Sequence, residues 1–391
     1  MKQDNGGIHE IHKIGGIFMR DSLSLGKIKG IQVEVNYSWL IIFTLITLTF
    51  ATVYFPAALP AIPVPAYWAL GAMIALLLFL SVFLHELAHS LVSIRYGLPV
   101  KKISLFIFGG LAYIEKDPDN PKTELLISAA GPLMSLFLYV CFTGVALILI
   151  RAGASPVVYI PLNYIGGVNY VLALFNLIPA LPLDGGRILR GIIWYYKDDY
   201  NFATKVAASL GRVFSYFLIL MGLLIIFKGL IINGIWLIFI GGFINQSAQS
   251  SYQYTTVQSL FKDLPIHRLM TPTVIAINYQ ETIKDVIQNY FYLYRHTCFP
   301  VIEDHKVLGI VTLDDIKKLP REKWDETNVF DLMQPLNENL TILIEGSSSD
   351  VFQKIMTNKV GRLLVFDEHK LVGIISKTDI LNYINIHNQL Y

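Results

Sequence analysis

The sequence predicts a polytopic α-helical membrane protein, with six transmembrane helices and a small interfacial β element, followed by a duplicated α/β domain. Hydrophobic residues make up 54% of its 391 residues and charged residues only 15%, whereas about 25% is usual for soluble domains. Long apolar runs dominate residues 36–248. Residues 255–391, in contrast, carry the charge density of a soluble domain and contain an internal repeat.

The first 35 residues are predicted to form a cytoplasmic N-terminal segment with one short strand. Polar and apolar residues alternate along Lys27–Val35, which is the pattern of a strand with one apolar face. The mixed, polar composition before that strand is not that of a signal peptide. His9 and His12 are three residues apart in a Gly-flanked stretch without a helix pattern, so we interpret them as part of a solvated tail.

Six apolar segments are predicted to cross the membrane, since a spanning helix needs roughly 20 residues. They are Trp39–Phe55, Trp68–Ile94, Leu125–Ile150, Val157–Leu181, Val206–Phe227 and Ile235–Ala248. The sixth is short, and its composition does not decide whether it spans fully.

Lysine and arginine orient these segments, because cytoplasmic connections carry an excess of both. The N-terminal segment, the connection between spans two and three, and the residues after span four are rich in them. The connection 56–66 has none. Both termini are therefore predicted to be cytoplasmic, in a multi-pass protein of the cell membrane.

The stretch Val100–Glu115 is predicted to form a β-hairpin at the membrane interface. It is rich in β-branched and aromatic residues, is broken by Gly109-Gly110, and is too short to span. An edge strand at this place could accept an extended peptide by strand addition.

The second span ends in His85-Glu86-Leu87-Ala88-His89, the pattern His-Glu-x-x-His. On a helix the two imidazoles lie one turn apart on the same face, a spacing that suits two ligands of one Zn²⁺. Glu86 is then placed to act as a general base on water. The alternative is a pair of histidines that only hydrogen-bond a neighbouring helix. Ionisable groups at membrane depth are functional candidates, which favours the metal site.

A catalytic zinc site needs a third protein ligand. Asp184 follows two prolines at the cytoplasmic end of the fourth span and precedes a Gly pair, so it can turn inward at the level of the histidines. The alternative is a simple Asp-Gly turn. Asn176, a polar amide in an apolar helix, could hold two helices together or donate to a substrate carbonyl.

This constellation resembles the site-2 protease family of intramembrane zinc metalloproteases. The match covers Phe83–His89, Gly131-Pro132-Leu133-Met134-Ser135 and Asn176–Gly186, in the family's order. The resemblance implies one Zn²⁺ per chain on His85, His89 and Asp184, with Glu86 as general base. It also implies that Asn176 helps to hold the substrate backbone.

After a polar linker at 249–262, residues 263–391 repeat one unit, predicted at 263–320 and 326–387. Leu269-Met270-Thr271-Pro272 recurs as Leu332-Met333-Gln334-Pro335, and Gly309–Asp315 recurs as Gly373–Asp379. The repeat is similar to the CBS domain, which in tandem binds adenine nucleotides in many proteins. The similarity places four residues against phosphate and ribose: Thr312, Asp315, Ser376 and Asp379. The alternative is that the hydroxyl groups only cap helices.

The leading hypothesis is an intramembrane zinc metalloendopeptidase that cleaves membrane-associated protein substrates near the cytoplasmic leaflet, regulated by ATP or AMP at the CBS pair. The alternative is a CBS-regulated metal or ion transporter; a third possibility is a nucleotide sensor without catalysis. The net charge of +2 without a basic cluster excludes a nucleic-acid partner. Two cysteines, Cys141 and Cys298, cannot form a disulfide framework. CBS pairs often associate in twos, so a homo-oligomer is possible; no residue identifies the substrate.

Overall fold

The computed structural model describes residues 22–106, 109–114, 117–261, 264–304, 306–358 and 360–390. The chain divides into two compact units, Met1–Gln253 and Tyr254–Tyr391. The predicted tail histidines, His9 and His12, lie outside the described residues.

A four-stranded sheet belongs to the first unit, in the order β1-β2-β3-β4. Its strands are β1 (Ser22–Ile28), β2 (Ile31–Asn36), β3 (Val100–Phe106) and β4 (Gly109–Ile114). The hairpin predicted within Val100–Glu115 is present as β3 and β4, which pair antiparallel, while β2 and β3 pair parallel. Strand β4 therefore forms one edge of the sheet.

The single strand predicted over Lys27–Val35 is wrong, because the chain turns back at its middle. Lys29 and Gly30 have φ values of 48° and 87° and connect β1 to β2. Glycine adopts such positive φ values without steric cost, so the Lys-Gly pair makes a tight turn inside an alternating pattern.

Six helices of the described residues are long and apolar enough to cross a membrane. Helix α1 (Ser38–Thr49) continues through a π-helical turn at Phe50–Tyr54 to Ala58. The next is α2 (Val64–Arg95), which contains the His-Glu-x-x-His motif. The others are α3 (Pro121–Arg151), α4 (Pro156–Asn176), α6 (Tyr200–Phe227) and α7 (Ile231–Phe261).

A further helix, α5 (Asp184–Lys197), begins after the fourth span and was not predicted. The fourth span itself ends at Asn176 rather than Leu181. Pro179 and Pro182 lie in the turn between α4 and α5, where proline cannot donate a helical hydrogen bond. The chain therefore changes direction between α4 and α5, close to the candidate ligand Asp184.

Residues 249–261, most of the predicted polar linker, are helical, because α7 continues without a break to Phe261. The stretch is rich in glutamine, serine and tyrosine but contains neither glycine nor proline. Nothing in it interrupts a helix once the apolar part has formed one. The sixth span is accordingly the apolar first half of a helix of 31 residues.

The second unit contains two copies of the predicted α/β repeat. The first has β5 (Ile277–Asn278), α8 (Ile283–Val286) extended by a π-helical turn, β6 (Cys298–Glu303), β7 (Lys306–Thr312) and α9 (Leu313–Ile316). After α10 (Val329–Leu332) and β8 (Gln334–Pro335), the second copy has β9 (Thr341–Leu343), α11 (Ser348–Thr357), β10 (Arg362–Asp367), β11 (Lys370–Ser376) and α12 (Lys377–Leu390). The sheets have the orders β5-β6-β7-β8 and β11-β10-β9.

Candidate metal centre

Helix α2 brings His85 and His89 side by side, as their spacing of four residues requires. Their Nε2 atoms lie 3.2 Å apart and their ring centroids 4.9 Å apart. Both residues are buried: His85 is 4% exposed and His89 is 5% exposed. Two imidazoles are thus held in the interior of the membrane unit with their Nε2 atoms facing each other.

Asp184, the first residue of α5, faces the same point. Its Oδ2 lies 3.1 Å from the Nε2 of His85 and 3.3 Å from the Nε2 of His89. Asp184 therefore brings one carboxylate oxygen to the Nε2 atoms of both histidines.

The glycine pair after Asp184 lets α5 begin directly against the preceding turn. A Cβ atom on Gly185 would overlap the carbonyl oxygens of Leu177 and Ile178. A Cβ atom on Gly186 would overlap the backbone at Ala180. Any larger residue would push the start of α5, and with it the Asp184 carboxylate, away from the histidines.

Helix α3 orients both imidazoles from one face. The Nδ1 of His85 lies 2.9 Å from the Oγ of Ser135, and the Nδ1 of His89 lies 2.6 Å from the carbonyl oxygen of Ile127. A carbonyl only accepts, so the Nδ1 of His89 carries the proton and its Nε2 has a free lone pair. Such partners fix the ring orientation in metal sites, and the sequence did not reveal the Ile127 carbonyl.

Two imidazole nitrogens and one carboxylate oxygen thus converge on one point, where a bound cation would neutralise the charge of the carboxylate. Zn²⁺ binds nitrogen and oxygen at about 2.0–2.1 Å in tetrahedral geometry, which places ligand atoms about 3.3 Å apart. The three measured separations are 3.1, 3.2 and 3.3 Å. Two histidines and one carboxylate also leave the fourth position open. The residues present fit Zn²⁺ in both donor type and spacing.

Strand β4 covers Glu86, the remaining polar residue of the motif. A Cβ atom on Gly110 would lie in the Glu86 side chain, overlapping Cγ and 3.2 Å from Cδ. The backbone of the edge strand therefore touches the candidate general base directly. Only glycine permits so close an approach.

A buried ion pair joins α5 to α3. Arg190 donates from Nε and Nη2 to one carboxylate oxygen of Glu124, and the two residues are 7% and 0% exposed. The guanidinium also stacks on the ring of Tyr200 at 4.8 Å. The sequence placed Arg190 in a cytoplasmic connection, whereas this pair fixes the short helix that carries Asp184.

Asn176 is not part of the metal cluster. It is the last residue of α4 and is half-buried, and its amide has no hydrogen-bond partner within the described part of the chain. The role of holding two helices together is filled instead by Asn169. Its Nδ2 donates to the Oγ of Ser81 on α2 at 2.9 Å, and Asn169 is fully buried.

In the second unit, both predicted hydroxyl and aspartate pairs form helix caps. Thr312 and Asp315 make a reciprocal capping box at the start of α9. Ser376 and Asp379 make the same contacts at the start of α12. The structure therefore contains the capping contacts that were the alternative to nucleotide binding.

The two aspartates differ in what else they bind. Asp315 is buried and also accepts hydrogen bonds from Gln334 and Lys318. Burial raises the pKa of its carboxyl group, but the hydrogen bonds from Thr312, Lys318 and Gln334 outweigh that and lower it. Asp379 is half-exposed and has no partner besides Ser376 among the described residues.

Comparisons with known proteins match both units. The sequence model of peptidase family M50 matches residues 73–159 and 151–221, and that of the CBS domain matches residues 263–322 and 329–386. A Synechocystis sp. protein named as a candidate zinc metalloprotease is 34% identical over 375 residues, which are 94% of this chain and 97% of that protein.

Two of the similar proteins from Methanocaldococcus jannaschii cover the membrane unit. A protein named zinc metalloprotease is 31% identical over 369 residues, which are 94% of this chain and 97% of that protein. The solved structure of a site-2 protease is 34% identical and covers 59% of this chain and 95% of that chain, with a TM-score of 0.42.

Proposed function

The chain belongs to peptidase family M50, the site-2 proteases, and from this premise we propose that it is an intramembrane zinc endopeptidase. The observation that carries the proposal is the convergence of one nitrogen from His85, one from His89 and one oxygen from Asp184, all within 4.8 Å of one another. Its substrates would be membrane-associated protein segments.

Zn²⁺ bound by these three side chains would polarise the scissile carbonyl and lower the pKa of water toward ~7. Glu86 would accept the proton of the attacking water and pass it to the leaving amine. Glu86 lies on the same helix turn as the two histidines and against the backbone of β4, and this position suits the role of general base. Asn176 would donate its free amide to the substrate carbonyl.

The substrate would be bound in an extended form, because a helix hides its carbonyl groups in its own hydrogen bonds. Strand β4 has β3 on one side and no partner strand on the other among the described residues. An unwound substrate segment could pair with that edge. Since Gly110 lies against Glu86, the added strand would pass close to the general base.

Helix packing and charge support cleavage near the cytoplasmic face of the membrane. The apolar part of α7 ends before Asn245, and Gly211 of α6 packs against Ala248 of α7. The turn before Asp184 lies at this level, because the amide of Leu181 donates to the carbonyl of Ala207. Lysine and arginine favour the cytoplasmic side for this face and for both termini.

Replacing Glu86 by glutamine tests the enzymatic proposal. Membranes from cells that express the wild-type chain should contain new protein N-termini within or next to membrane-spanning segments, and Glu86→Gln should remove them. Zinc content should stay at one per chain, because Glu86 is not a ligand. Terminal-peptide proteomics and elemental analysis measure both. Unchanged N-termini with Glu86→Gln would refute the protease, and rapidly exchanging metal would favour the transporter.

The CBS pair, we propose, binds ATP or AMP, regulates substrate access and associates two chains. The two-domain family match supports this. The free oxygen of Asp379 makes the second copy the better ribose site, since the carboxylate of Asp315 is already satisfied.

Two matched substitutions test this assignment. Asp379→Asn should weaken ATP and AMP binding about tenfold, the effect of roughly one lost charge-assisted hydrogen bond. Asp315→Asn should instead lower the melting temperature, because it breaks a buried network with three partners. Calorimetry on the full-length chain measures both quantities. Equal losses of affinity in the two variants would contradict the assignment to the second copy.

A further inference from the structure

One face of helix α3 contacts both helices that carry candidate metal ligands. Four residues of α3 repeat at intervals of three or four positions, which is the spacing of one helix face: Glu124, Ile127, Gly131 and Ser135. The hydroxyl of Ser135 and the carbonyl of Ile127 contact the two histidines of α2. Glu124, in the first turn of α3, instead contacts α5, the helix that begins with Asp184. The same face therefore reaches both ligand-bearing helices.

At Gly191 the helices α5 and α3 meet without a side chain from α5. A Cβ atom on Gly191 would lie 3.0 Å from Cγ of Leu125 and 3.4 Å from the carbonyl oxygen of Pro121. A helix surface resists sliding and rotation through side chains that fit between those of its neighbour, and glycine supplies none. The hydrogen bonds of Arg190, one residue earlier, are directional and can therefore set the register of α5 on α3.

The Arg190 side chain is itself fixed by its contacts. Its Nε donates to Oε1 of Glu124 at 2.7 Å, and its Nη2 donates to the same oxygen. The guanidinium lies over the ring of Tyr200 at the start of α6, and that ring contacts Trp194 of α5 with centroids 4.8 Å apart. Arg190 follows Asp184 at a distance of about 9 Å along the helix axis, at about 1.5 Å per residue. Because α5 is one continuous helix, a displacement of Arg190 displaces Asp184 as well.

The burial of this ion pair favours a positioning role over one in stability alone. Glu124 is fully buried, and its Oε2 has no hydrogen-bond partner in the part of the chain that the structure describes. Well-packed apolar residues of similar volume are often as stabilising as a buried ion pair, or more so. What an apolar pair lacks is a preferred direction, and direction is what the placement of a metal ligand requires.

We propose that Glu124 and Arg190 are positioning residues of the metal centre. Their ion pair places the Asp184 carboxylate relative to the two histidines and so sets the affinity for Zn²⁺. The inference rests on the proposed function, because it takes the metal centre as its premise. Residues that orient metal ligands typically change metal affinity by about 10–100-fold when they are replaced.

Two variants of the full-length chain separate positioning from stability. Arg190→Met leaves the buried carboxylate of Glu124 unpaired, so it should lower both the melting temperature of the metal-free chain and the affinity for zinc. Glu124→Leu combined with Arg190→Met removes both charges. This double variant should regain the melting temperature but still bind zinc about 10–100-fold more weakly than the wild type. Thermal unfolding and zinc titration against a competing chelator measure the two quantities.

The geometry of the centre has its own readout, the visible absorption of Co²⁺ bound in place of Zn²⁺. Arg190→Lys keeps the positive charge but loses the two-donor fork of the guanidinium. It should fold, bind zinc more weakly and shift the Co²⁺ spectrum. The control is Glu34→Leu with Lys102→Met, which removes the ion pair of the sheet and should leave zinc affinity and the Co²⁺ spectrum unchanged.

Wild-type zinc affinity in the double variant would overturn the inference, because apolar packing would then place Asp184 equally well. If the double variant does not fold, an unchanged Co²⁺ spectrum in Arg190→Lys would overturn it. A wild-type chain that binds no zinc would refute the metal centre itself, and with it both the proposed function and this inference.

Discussion

Gly131→Ala is expected to abolish zinc binding and, with it, any metal-dependent activity. Gly131 lies on α3 between Ile127 and Ser135, on the face that orients the two histidines. A Cβ atom there would overlap the Nε2 of His89 and crowd the Nε2 of His85, the atoms that would hold the metal. The backbone of a packed helix cannot withdraw far enough to remove such an overlap. Elemental analysis of the purified chain should find less than a tenth of the wild-type zinc.

Gly144→Ala is the matched control on the same helix, since a Cβ atom on Gly144 meets nothing within 4 Å. Alanine favours helix over glycine by about 1 kcal/mol, so neither change weakens α3 itself. If the Gly131→Ala chain folds but loses zinc, the loss would therefore show that the Nε2 atoms of His85 and His89 bind the metal. Full zinc occupancy at wild-type affinity in this variant would show that the Nε2 atoms of His85 and His89 do not bind the metal.

The sequence was sufficient for the parts of the site whose chemistry is local. His85, Glu86 and His89 are recognisable because their spacing repeats the period of a helix, and the structure places the two histidines on one face. Asp184 was predicted from membrane level and from the helix-breaking residues around it. The structure brings its carboxylate to both histidines. The apolar lengths likewise predicted the six spanning helices.

What the sequence missed depends on contacts between distant segments. Glu124 and Arg190 are 66 positions apart, and neither neighbourhood indicates that the other will be its buried partner. The helix α5 was hidden because prolines and glycines around Asp184 were interpreted only as a break. The turn at Lys29-Gly30 was missed because alternation of polar and apolar residues continues on both sides of it. These features are decided by tertiary packing, which overrides local pattern.

The glycine on the edge strand leads to the second large effect: Gly110→Ala should lower peptide cleavage more than about a hundredfold while the chain keeps its zinc. The added Cβ atom would overlap Glu86 Cγ, so either the Glu86 side chain or β4 must move. A displacement of about 1 Å at a catalytic group can cost about a hundredfold in rate. The three atoms nearest to this Cβ atom belong to Glu86 and Leu105 and none to a candidate metal ligand, which separates the effect from that of Gly131→Ala.

Cleavage can be followed with any substrate whose new N-terminus disappears in Glu86→Gln membranes, and zinc by elemental analysis of the same preparation. Gly167→Ala is the control, because a Cβ atom at this position of α4 meets nothing within 4 Å. Zinc loss in Gly110→Ala would mean that β4 supports the metal ligands rather than Glu86. Cleavage at the wild-type rate would mean that the edge strand has no part in positioning the carboxylate, since the side chain could then accommodate the methyl group without cost. If β4 positions the general base Glu86, the Gly110→Ala variant should keep its zinc and lose cleavage.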